Sequence, residues 1–154
     1  MVDPKKLLIA VDGSQQSLEA VSYVALNLRP ADLRVNLMYI IPSVPEPFGD
    51  FERAGFFKKK MRTRHGEWER SEQKTAQEFL HKTRNLLLRA NFREDDVRVI
   101  MQRQQVGIAR DIIAEGSRGY DAVVVGRRGL SKLGDILLGS VSYKIVQGIE
   151  NTPV

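Results

Sequence analysis

Apolar positions along the chain alternate between short continuous runs and longer stretches that repeat with the 3.6-residue period of a helix. Four runs are short, apolar on both faces and rich in β-branched residues, which is typical of buried strands. They cover residues 6–11, 33–41, 97–102 and 121–126. A helical pattern follows each run, so the sequence predicts the element order β-α-β-α-β-α-β-α.

Each predicted helix is defined by apolar residues that share one face. The second helix is predicted over 67–90. The apolar faces of the four helices consist, in chain order, of Leu18, Val21, Val24, Ala25 and Leu28; Ala76, Phe79, Leu80, Thr83, Leu86 and Leu87; Val106, Ala109, Ile112 and Ile113; and Val141, Ile145 and Ile149. Strands that are apolar on both faces need helices on both sides. The predicted fold is therefore a doubly wound α/β fold, an open parallel sheet in a Rossmann-like three-layer sandwich.

A long connection, residues 42–66, separates the second strand from the second helix and is rich in proline and glycine at its start. Its stretch "KKKMRTRH" (58–65) carries most of the formal net charge of +5. We interpret this stretch as a solvated basic loop. A nucleic-acid partner is not expected, because only Phe56 and Phe57 flank the charges and nothing indicates base stacking.

Composition narrows the class of protein. The 154 residues, of which 42% are hydrophobic, are enough for one domain over 1–154 with a substantial core. The chain has no cysteine, and its two histidines lack the spacing of metal ligands. No apolar run approaches the roughly 18 residues that cross a bilayer, so a cytoplasmic location without membrane contact is expected. The final "ENTPV" stops where a fifth strand is expected to begin, as in a short form or half of a tandem protein.

The candidate chemistry lies in the stretch "GRRGLSKLGDILLGS", residues 126–140, between the fourth strand and the last helix. Ligands of open parallel sheets bind outside the carboxyl ends of the strands. Gly126, Gly129 and Gly139 would let an anion approach the main chain, and the start of the helix offers unpaired N–H groups. Ser140 can add a hydroxyl group. The pattern predicts a phosphate cradle.

Two common phosphate sites do not fit this loop. The segment "GDILLGS" (134–140) has Ser140 where a P-loop has its lysine. The first strand is followed by "VDGSQQS", which is no dinucleotide fingerprint. These observations exclude a P-loop NTPase and a Rossmann dehydrogenase. The loop alone leaves another interpretation open, in which the glycines only permit turns and Ser140 is a helix N-cap.

The glycine spacing, G-x2-G-x9-G-[ST], resembles the nucleotide-binding signature of the universal stress protein family. The stretch "KKLLIAVDGSQQSLEAVSYVALNL" is similar to that family's first strand, acidic turn and first helix. The resemblance covers nearly the whole chain, with 42–66 the least typical part. It implies an ATP-binding regulatory protein of the stress response that forms a homodimer.

The resemblance also implies roles for individual residues. Asp12 would lie against the nucleoside, with the backbone of Ala10 and Val11 beside the adenine and Ile40 packed on the base. Val125 and Gly126 would border the pocket. Arg127 and Arg128 fill the variable positions of the signature, which allows phosphate pairing, although two adjacent arginines cannot both point inward. Ribose and phosphates would be held by Gly129, Gly139, Ser140, Val141 and Ser142.

Two other functions remain open at this stage. One is a slow ATPase or an adenylyl-transferring enzyme, in which Asp12 or Asp135 would touch Mg²⁺ through water. No general base stands out, and the S-G-G-x-D and H-x-G-H elements of adenylyl-transferring relatives are absent. The other is an interaction protein that holds no nucleotide. We expect no catalytic residue and no protein-bound metal, and a binding module is the favoured interpretation.

Overall fold

The fold follows from a computed structural model that describes residues 3–43, 55–127 and 138–154, without the side chains of 55–63 and 65. Its four strands are β1 (Lys5–Val11), β2 (Leu33–Ile41), β3 (Val97–Arg103) and β4 (Ala122–Val125). Its four helices are α1 (Gln15–Asn27), α2 (Gly55–Arg89), α3 (Ile108–Gly116) and α4 (Ser140–Gly148). The elements alternate along the chain as predicted.

The four strands form one parallel sheet with the order β3-β2-β1-β4. The strand order therefore reverses at β1, because β2 and β3 follow on one side and β4 lies on the other. Such a reversal leaves a crevice at the carboxyl ends of the two strands that flank it. Here those strands are β1 and β4, which pair from Leu7 with Ala122 to Ala10 with Val125.

Two apolar layers cover the sheet, which confirms the doubly wound α/β fold. On one face, Leu7, Ile9 and Val11 pack with residues of α1 and α2. On the other face, Leu8 and Ala10 pack with residues of α3 and α4. Strand residues alternate between the two layers because successive side chains of a strand point to opposite faces. This alternation decides which side chains can line a crevice between β1 and β4.

The second helix is the largest departure from the sequence prediction. It begins at Gly55 rather than at 67, so part of the predicted loop 42–66 is helical. The apolar face used for the prediction is correct, since Ala76, Leu80 and Leu87 are fully or almost fully buried. The first turns were missed because they contain charged residues and no apolar stripe that would pack on the sheet. The remaining part of the predicted loop, 44–54, lies outside the described residues.

Smaller corrections concern the ends of helices. Val106 was placed on the third helix, but it precedes α3 and is 67% exposed. Its backbone N–H instead donates to the carboxylate of Asp111, which caps the loop before α3. Val141 lies on α4 but is exposed, whereas Ile145 and Ile149 are buried as expected.

No helix in the described ranges is both long enough and apolar enough to cross a membrane. In the same ranges no fifth strand is present, but the last residues approach the free edge of β4. The backbone N–H of Val123 donates to the carbonyl of Pro153 at 2.8 Å.

Candidate functional site

The carboxyl ends of β1, β2 and β4 bring together three of the residues singled out in the sequence, Ala10, Ile40 and Val125. Ala10 pairs with Val125 in the sheet. Ile40 extends the neighbouring strand β2 beyond the level of Ala10 and belongs to the same apolar layer, on the α3 and α4 side. Val11 packs in the opposite layer. Only its backbone can therefore face a ligand on the α3 and α4 side, which is the role expected for it.

Asp12 lies in a turn that several hydrogen bonds hold in place. Its Oδ1 accepts from the backbone N–H of Ser14 at 3.0 Å, and its own N–H donates to Ser17 Oγ at 3.4 Å. Gly13 has a φ of +84°, a conformation that favours glycine. Ser14 in turn caps α1 by accepting from the N–H of Ser17 at 3.1 Å. The turn is thus built by the start of α1, and Asp12 stays half-buried at the sheet edge.

A tyrosine that the sequence did not reveal supports this turn from behind. The hydroxyl of Tyr39, on β2, donates to the backbone carbonyl of Asp12 at 3.2 Å. The ring is 3% exposed and contacts Phe79 of α2 edge to face. Burial, together with the negative charges of Glu72 and Asp12, raises the pKa of Tyr39. The hydroxyl therefore stays protonated at neutral pH and remains a donor.

Residue 126, at the end of β4, must be glycine for a packing reason that the glycine signature does not reveal. A side-chain Cβ at this position would lie 2.9 Å from the backbone carbon of Gln16 and 3.0 Å from the nitrogen of Ser17. Backbone atoms cannot shift as the end of a flexible side chain can. Glycine is therefore needed at 126 so that β4 can end against the first turn of α1.

Two hydrogen bonds hold the start of α4 against the end of β4. The N–H of Gly139 donates to the carbonyl of Arg127 at 2.7 Å, and the hydroxyl of Ser142 donates to the carbonyl of Gly126 at 2.7 Å. Gly139 is the N-cap residue of α4 and has no side chain to accept from the helix. Ser142 is buried, whereas Ser140 and Val141 are exposed.

The first turn of α4 has three N–H groups without an acceptor in the described part of the chain. The first hydrogen bond within the helix runs from the N–H of Tyr143 to the carbonyl of Gly139. For the N–H groups of Ser140, Val141 and Ser142, the described part of the chain supplies no acceptor. The helix dipole adds partial positive charge at this end. Together these groups can hold an anion beside the last residues of β4.

The remaining predicted residues divide into two groups. Arg127 directly follows Gly126 and is exposed. Arg128 and Gly129 lie outside the described residues, so their contribution to a phosphate cradle stays a prediction from the sequence. Asp135, suggested for contact with Mg²⁺ through water, lies outside the described residues as well.

The loop that follows β3 is held against the end of β2. The N–H of Gln104 donates to the carbonyl of Ile41 at 2.8 Å, and its side-chain Oε1 accepts from the N–H of Ser43 at 3.4 Å. Asp111, which is 6% exposed, accepts from the N–H groups of Gln105 and Val106 at 2.7 and 3.1 Å. These bonds fix the loop next to Ile40. The sequence could not reveal the contacts of Gln104, because they depend on the pairing of β2 with β3, which is not readable from either strand alone.

Metal ligation finds no support in the described ranges, where no group of three or more histidine, cysteine, aspartate or glutamate residues could hold an ion. The acceptors and donors at this edge are instead suited to an organic anion. Apolar side chains of β1, β2 and β4 lie on one side of the sheet edge, and the Asp12 carboxylate lies in the turn after β1. The N–H groups at the start of α4 find no acceptor among the residues that the structure describes.

Comparisons with known proteins agree with this architecture. The model of the universal stress protein family matches residues 4–152. A universal stress protein of Mycolicibacterium smegmatis is 29% identical over 142 residues, which are 91% of this chain and 44% of that protein. This chain therefore spans less than half the length of that relative.

Two solved structures show the same fold at low sequence identity. The universal stress protein UspA from Lactobacillus plantarum has a TM-score of 0.77 at 12% identity, covering 100% of this chain and 98% of that one. A universal stress protein family protein from Arabidopsis thaliana, solved with AMP bound, has a TM-score of 0.63 at 19% identity. That alignment covers 98% of this chain and 90% of the plant protein.

Proposed function

The chain belongs to the universal stress protein family. From this premise we propose that it binds ATP at the crevice between β1 and β4. We propose further that it acts as a regulatory module of the stress response. The observation that carries the proposal is the start of α4, where three N–H groups without acceptors in the described residues lie beside the end of β4. Helix starts of this kind bind phosphate groups. The AMP bound to the Arabidopsis thaliana relative supports an adenine nucleotide as the ligand class.

The residues present fit such a ligand. Ala10, Ile40 and Val125 share the apolar layer on the α3 and α4 side and offer a surface for the flat base. Asp12 uses Oδ1 for the N–H of Ser14, and its second oxygen is available to accept from ribose hydroxyl groups. Phosphates would receive hydrogen bonds from the N–H groups of Ser140, Val141 and Ser142 and from the hydroxyl of Ser140.

ATP, rather than a ligand with a single phosphate group, is proposed because of the number of cationic residues in the same loop. Arg127 is exposed at the end of β4, and Arg128 and Lys132 follow it in the sequence. Several phosphate groups could pair with them. Mg²⁺, when present, would be bound through the phosphates and water, as this ion commonly is.

Binding without rapid turnover is the favoured activity. Hydrolysis requires a group that positions and deprotonates water. Among the described carboxylates at this edge, Asp12 is engaged by Ser14, and Asp111 is buried and accepts from two backbone N–H groups. Occupancy by the nucleotide would instead stabilise the turn after β1 and the start of α4, and partners would recognise that state.

A cytoplasmic homodimer completes the proposal. Tyr143 and Val146 of α4 are 57% and 44% exposed, and Val154 at the end of the chain is 46% exposed. These apolar side chains offer a surface that a second copy could cover. Sedimentation velocity at micromolar concentration should give twice the mass of the chain, and a monomer at that concentration would contradict this part of the proposal.

The N-cap glycine of α4 provides the sharpest test of the binding site. In Gly139→Val, a branched side chain would occupy the space expected for phosphate, and we expect ATP affinity to fall at least about 100-fold, equivalent to about 3 kcal/mol. The matched control is Gly107→Val, at the N-cap of α3, where a Cβ meets no atom within 4 Å.

Isothermal titration of both variants with ATP, alongside circular dichroism, distinguishes the outcomes. Loss of binding in Gly139→Val with a native spectrum, and unchanged affinity in Gly107→Val, would support the site. Unchanged affinity in Gly139→Val would contradict a phosphate site at the start of α4. A native spectrum in both variants is required for the comparison, and Ser140→Ala, expected to weaken binding severalfold, provides a milder second variant.

A further inference from the structure

The first turns of α2 extend beyond the sheet on the side where the crevice opens. With 35 residues and a rise of 1.5 Å per residue, α2 is about 52 Å long, whereas the nine residues of β2 span about 30 Å. Glu69 of α2 forms an ion pair with Arg103, the last residue of β3, at 2.7 Å. This pair marks where α2 passes the carboxyl edge of the sheet, so residues 55–68 lie beyond that edge. We call this segment the basic arm.

The first twelve residues of the basic arm, 55–66, account for the net positive charge of the chain. The arm contains Lys58, Lys59, Lys60, Arg62 and Arg64, and a single acidic residue, Glu67, near its base. Residues 55–66 therefore carry five positive charges and no negative one. The chain has 24 lysines and arginines, 19 acidic residues and a net charge of +5, so outside 55–66 the two signs balance. Positive charge is thus concentrated in the first three turns of one helix.

The helical form changes what this segment can bind. As a loop, the stretch gave no reason to expect nucleic acid. In a helix, with 100° per residue, the five cationic positions fall on several sides of the axis rather than on one face. Around the helix axis, the cationic positions 60 and 64 fall between the positions of Phe56 and Phe57, so the apolar face is interrupted. A helix that lies on a membrane surface needs a continuous apolar face, which this spacing does not provide.

A helix with cationic positions on several sides needs a partner that offers negative charge on more than one side, and the major groove of duplex DNA is such a partner. That groove is about 12 Å wide, admits an α-helix and is bordered by phosphates on both sides. Duplex RNA is less suitable because its major groove is deep and narrow. We propose that the basic arm binds the major groove of duplex DNA through phosphate contacts, without sequence preference. This goes beyond the proposed nucleotide binding and does not depend on it.

Salt dependence tests the number of contacts directly. The probe is a fluorescein-labelled 20-base-pair DNA of mixed sequence, measured by anisotropy with the full chain and no added nucleotide. If five phosphates are neutralised, the slope of log K against log salt should be about −4.5, and affinity should fall about 500-fold between 50 and 200 mM salt. In Arg64→Gln, which removes one exposed cation, the slope should become about 0.9 less steep.

Two matched triple variants place the contacts on the helix. The first, Lys58→Gln, Lys59→Gln and Lys60→Gln, should bind at least tenfold more weakly at 50 mM salt, with a slope near −1.8. The control, Lys74→Gln, Lys82→Gln and Arg89→Gln, removes three exposed cations from the part of α2 that packs on the sheet. It should change affinity by less than about twofold. Circular dichroism checks that both variants retain their helices.

Several results would overturn the proposal. Absence of DNA binding by the unaltered chain at 50 mM salt, or equal weakening of binding in the two triple variants, contradicts contacts through the basic arm. Equal or tighter binding to an RNA duplex of the same length contradicts the major groove of DNA as the site. Binding to vesicles of anionic lipid without binding to DNA contradicts a nucleic-acid partner. If the first triple variant unfolds, the salt slopes of the unaltered chain and of Arg64→Gln still decide the question. Loss of ATP binding in a separate titration bears only on the nucleotide proposal.

Discussion

Tyr120 links three parts of the molecule through one hydroxyl group at the amino end of the sheet. The hydroxyl donates to Glu115 Oε1 of α3 and accepts from Asn36 Nδ2 of β2, each at 2.6 Å. The ammonium group of Lys6 lies 4.2 Å from the centre of the ring. Asn36 is 8% exposed, and a buried amide without a partner would cost free energy. We infer that this hydroxyl stabilises the end of the sheet opposite the candidate site.

The hydroxyl predicts a pH dependence of stability. Burial, followed by the hydrogen bond to Glu115, raises the pKa of Tyr120 from 10.0 to about 12. Because the pKa is higher in the folded than in the unfolded chain, the stabilising effect is fully present below pH 10. It is lost as the pH rises from 10 to 12. Tyr120→Phe lacks this titration, so its free energy of unfolding should fall less steeply over that range.

Urea titrations at pH 7, 10, 11 and 12 check this expectation. At pH 7, Tyr120→Phe should lower the free energy of unfolding by about 1–2 kcal/mol, because Asn36 and Glu115 each lose a partner. Tyr23→Phe, at an exposed position on α1, serves as the control and should keep the alkaline slope of the unaltered chain. Parallel curves for all three proteins between pH 10 and 12 would contradict the role of Tyr120.

At the scale of elements, the contact between β4 and α4 determines the geometry of the candidate phosphate site. Ser142 is within the first turn of α4, and its hydroxyl donates to the carbonyl of Gly126. In Ser142→Ala this carbonyl loses the Ser142 hydroxyl as a donor, and among the described residues the bond from Gly139 to Arg127 remains to hold the start of α4 near the end of β4. We expect the free energy of unfolding to fall by about 1 kcal/mol and ATP affinity to fall severalfold.

Chemical unfolding and ATP titration of Ser142→Ala measure the two effects separately. The control is Ser117→Ala, whose hydroxyl donates to the carbonyl of Ile113 at the exposed end of α3, away from the candidate site. That variant should leave ATP affinity unchanged. Equal ATP affinity in both variants would show that the bond to Gly126 does not set the geometry of the site.

Strands and helices could be predicted from the sequence wherever their apolar residues pack in the core. Continuous apolar runs located the four strands to within one or two residues, and the apolar faces of the helices are largely buried. The start of α2 was missed because its first turns do not pack on the sheet, so no apolar period marks them. Val106 was misassigned because it continues the apolar spacing of α3 although its N–H is held outside the helix by Asp111.

At the scale of the whole molecule, local and long-range features of the site differ in how far the sequence reveals them. The glycine signature from Gly126 to Ser140 is contiguous, so its resemblance to the nucleotide-binding signature of the family can be recognised from the sequence. The supports from Tyr39 and Gln104 depend on which residues are neighbours across β2, β1 and β3. That register is a property of the assembled sheet. The close approach of Gly126 to α1 likewise requires the fold to be known.

The proposed binding surfaces and the Tyr120 contacts lie at opposite edges of the sheet. The candidate nucleotide site lies at the carboxyl edge of the sheet, and the basic arm extends beyond this edge. The polar contacts of Tyr120 lie at the amino edge. Because the Tyr120 contacts lie at the opposite end of the strands from the candidate site, Tyr120→Phe should leave ATP affinity largely unchanged.

The central claim is that the crevice between β1 and β4 holds ATP. The most direct test is mass spectrometry of the small molecules that the purified protein releases when it is denatured. Titration of the nucleotide-free protein with ATP and Mg²⁺ follows. The account predicts that ATP is released, or that added ATP binds saturably, in the unaltered chain but not in Gly139→Val. Absence of any released nucleotide together with absence of saturable binding would contradict it.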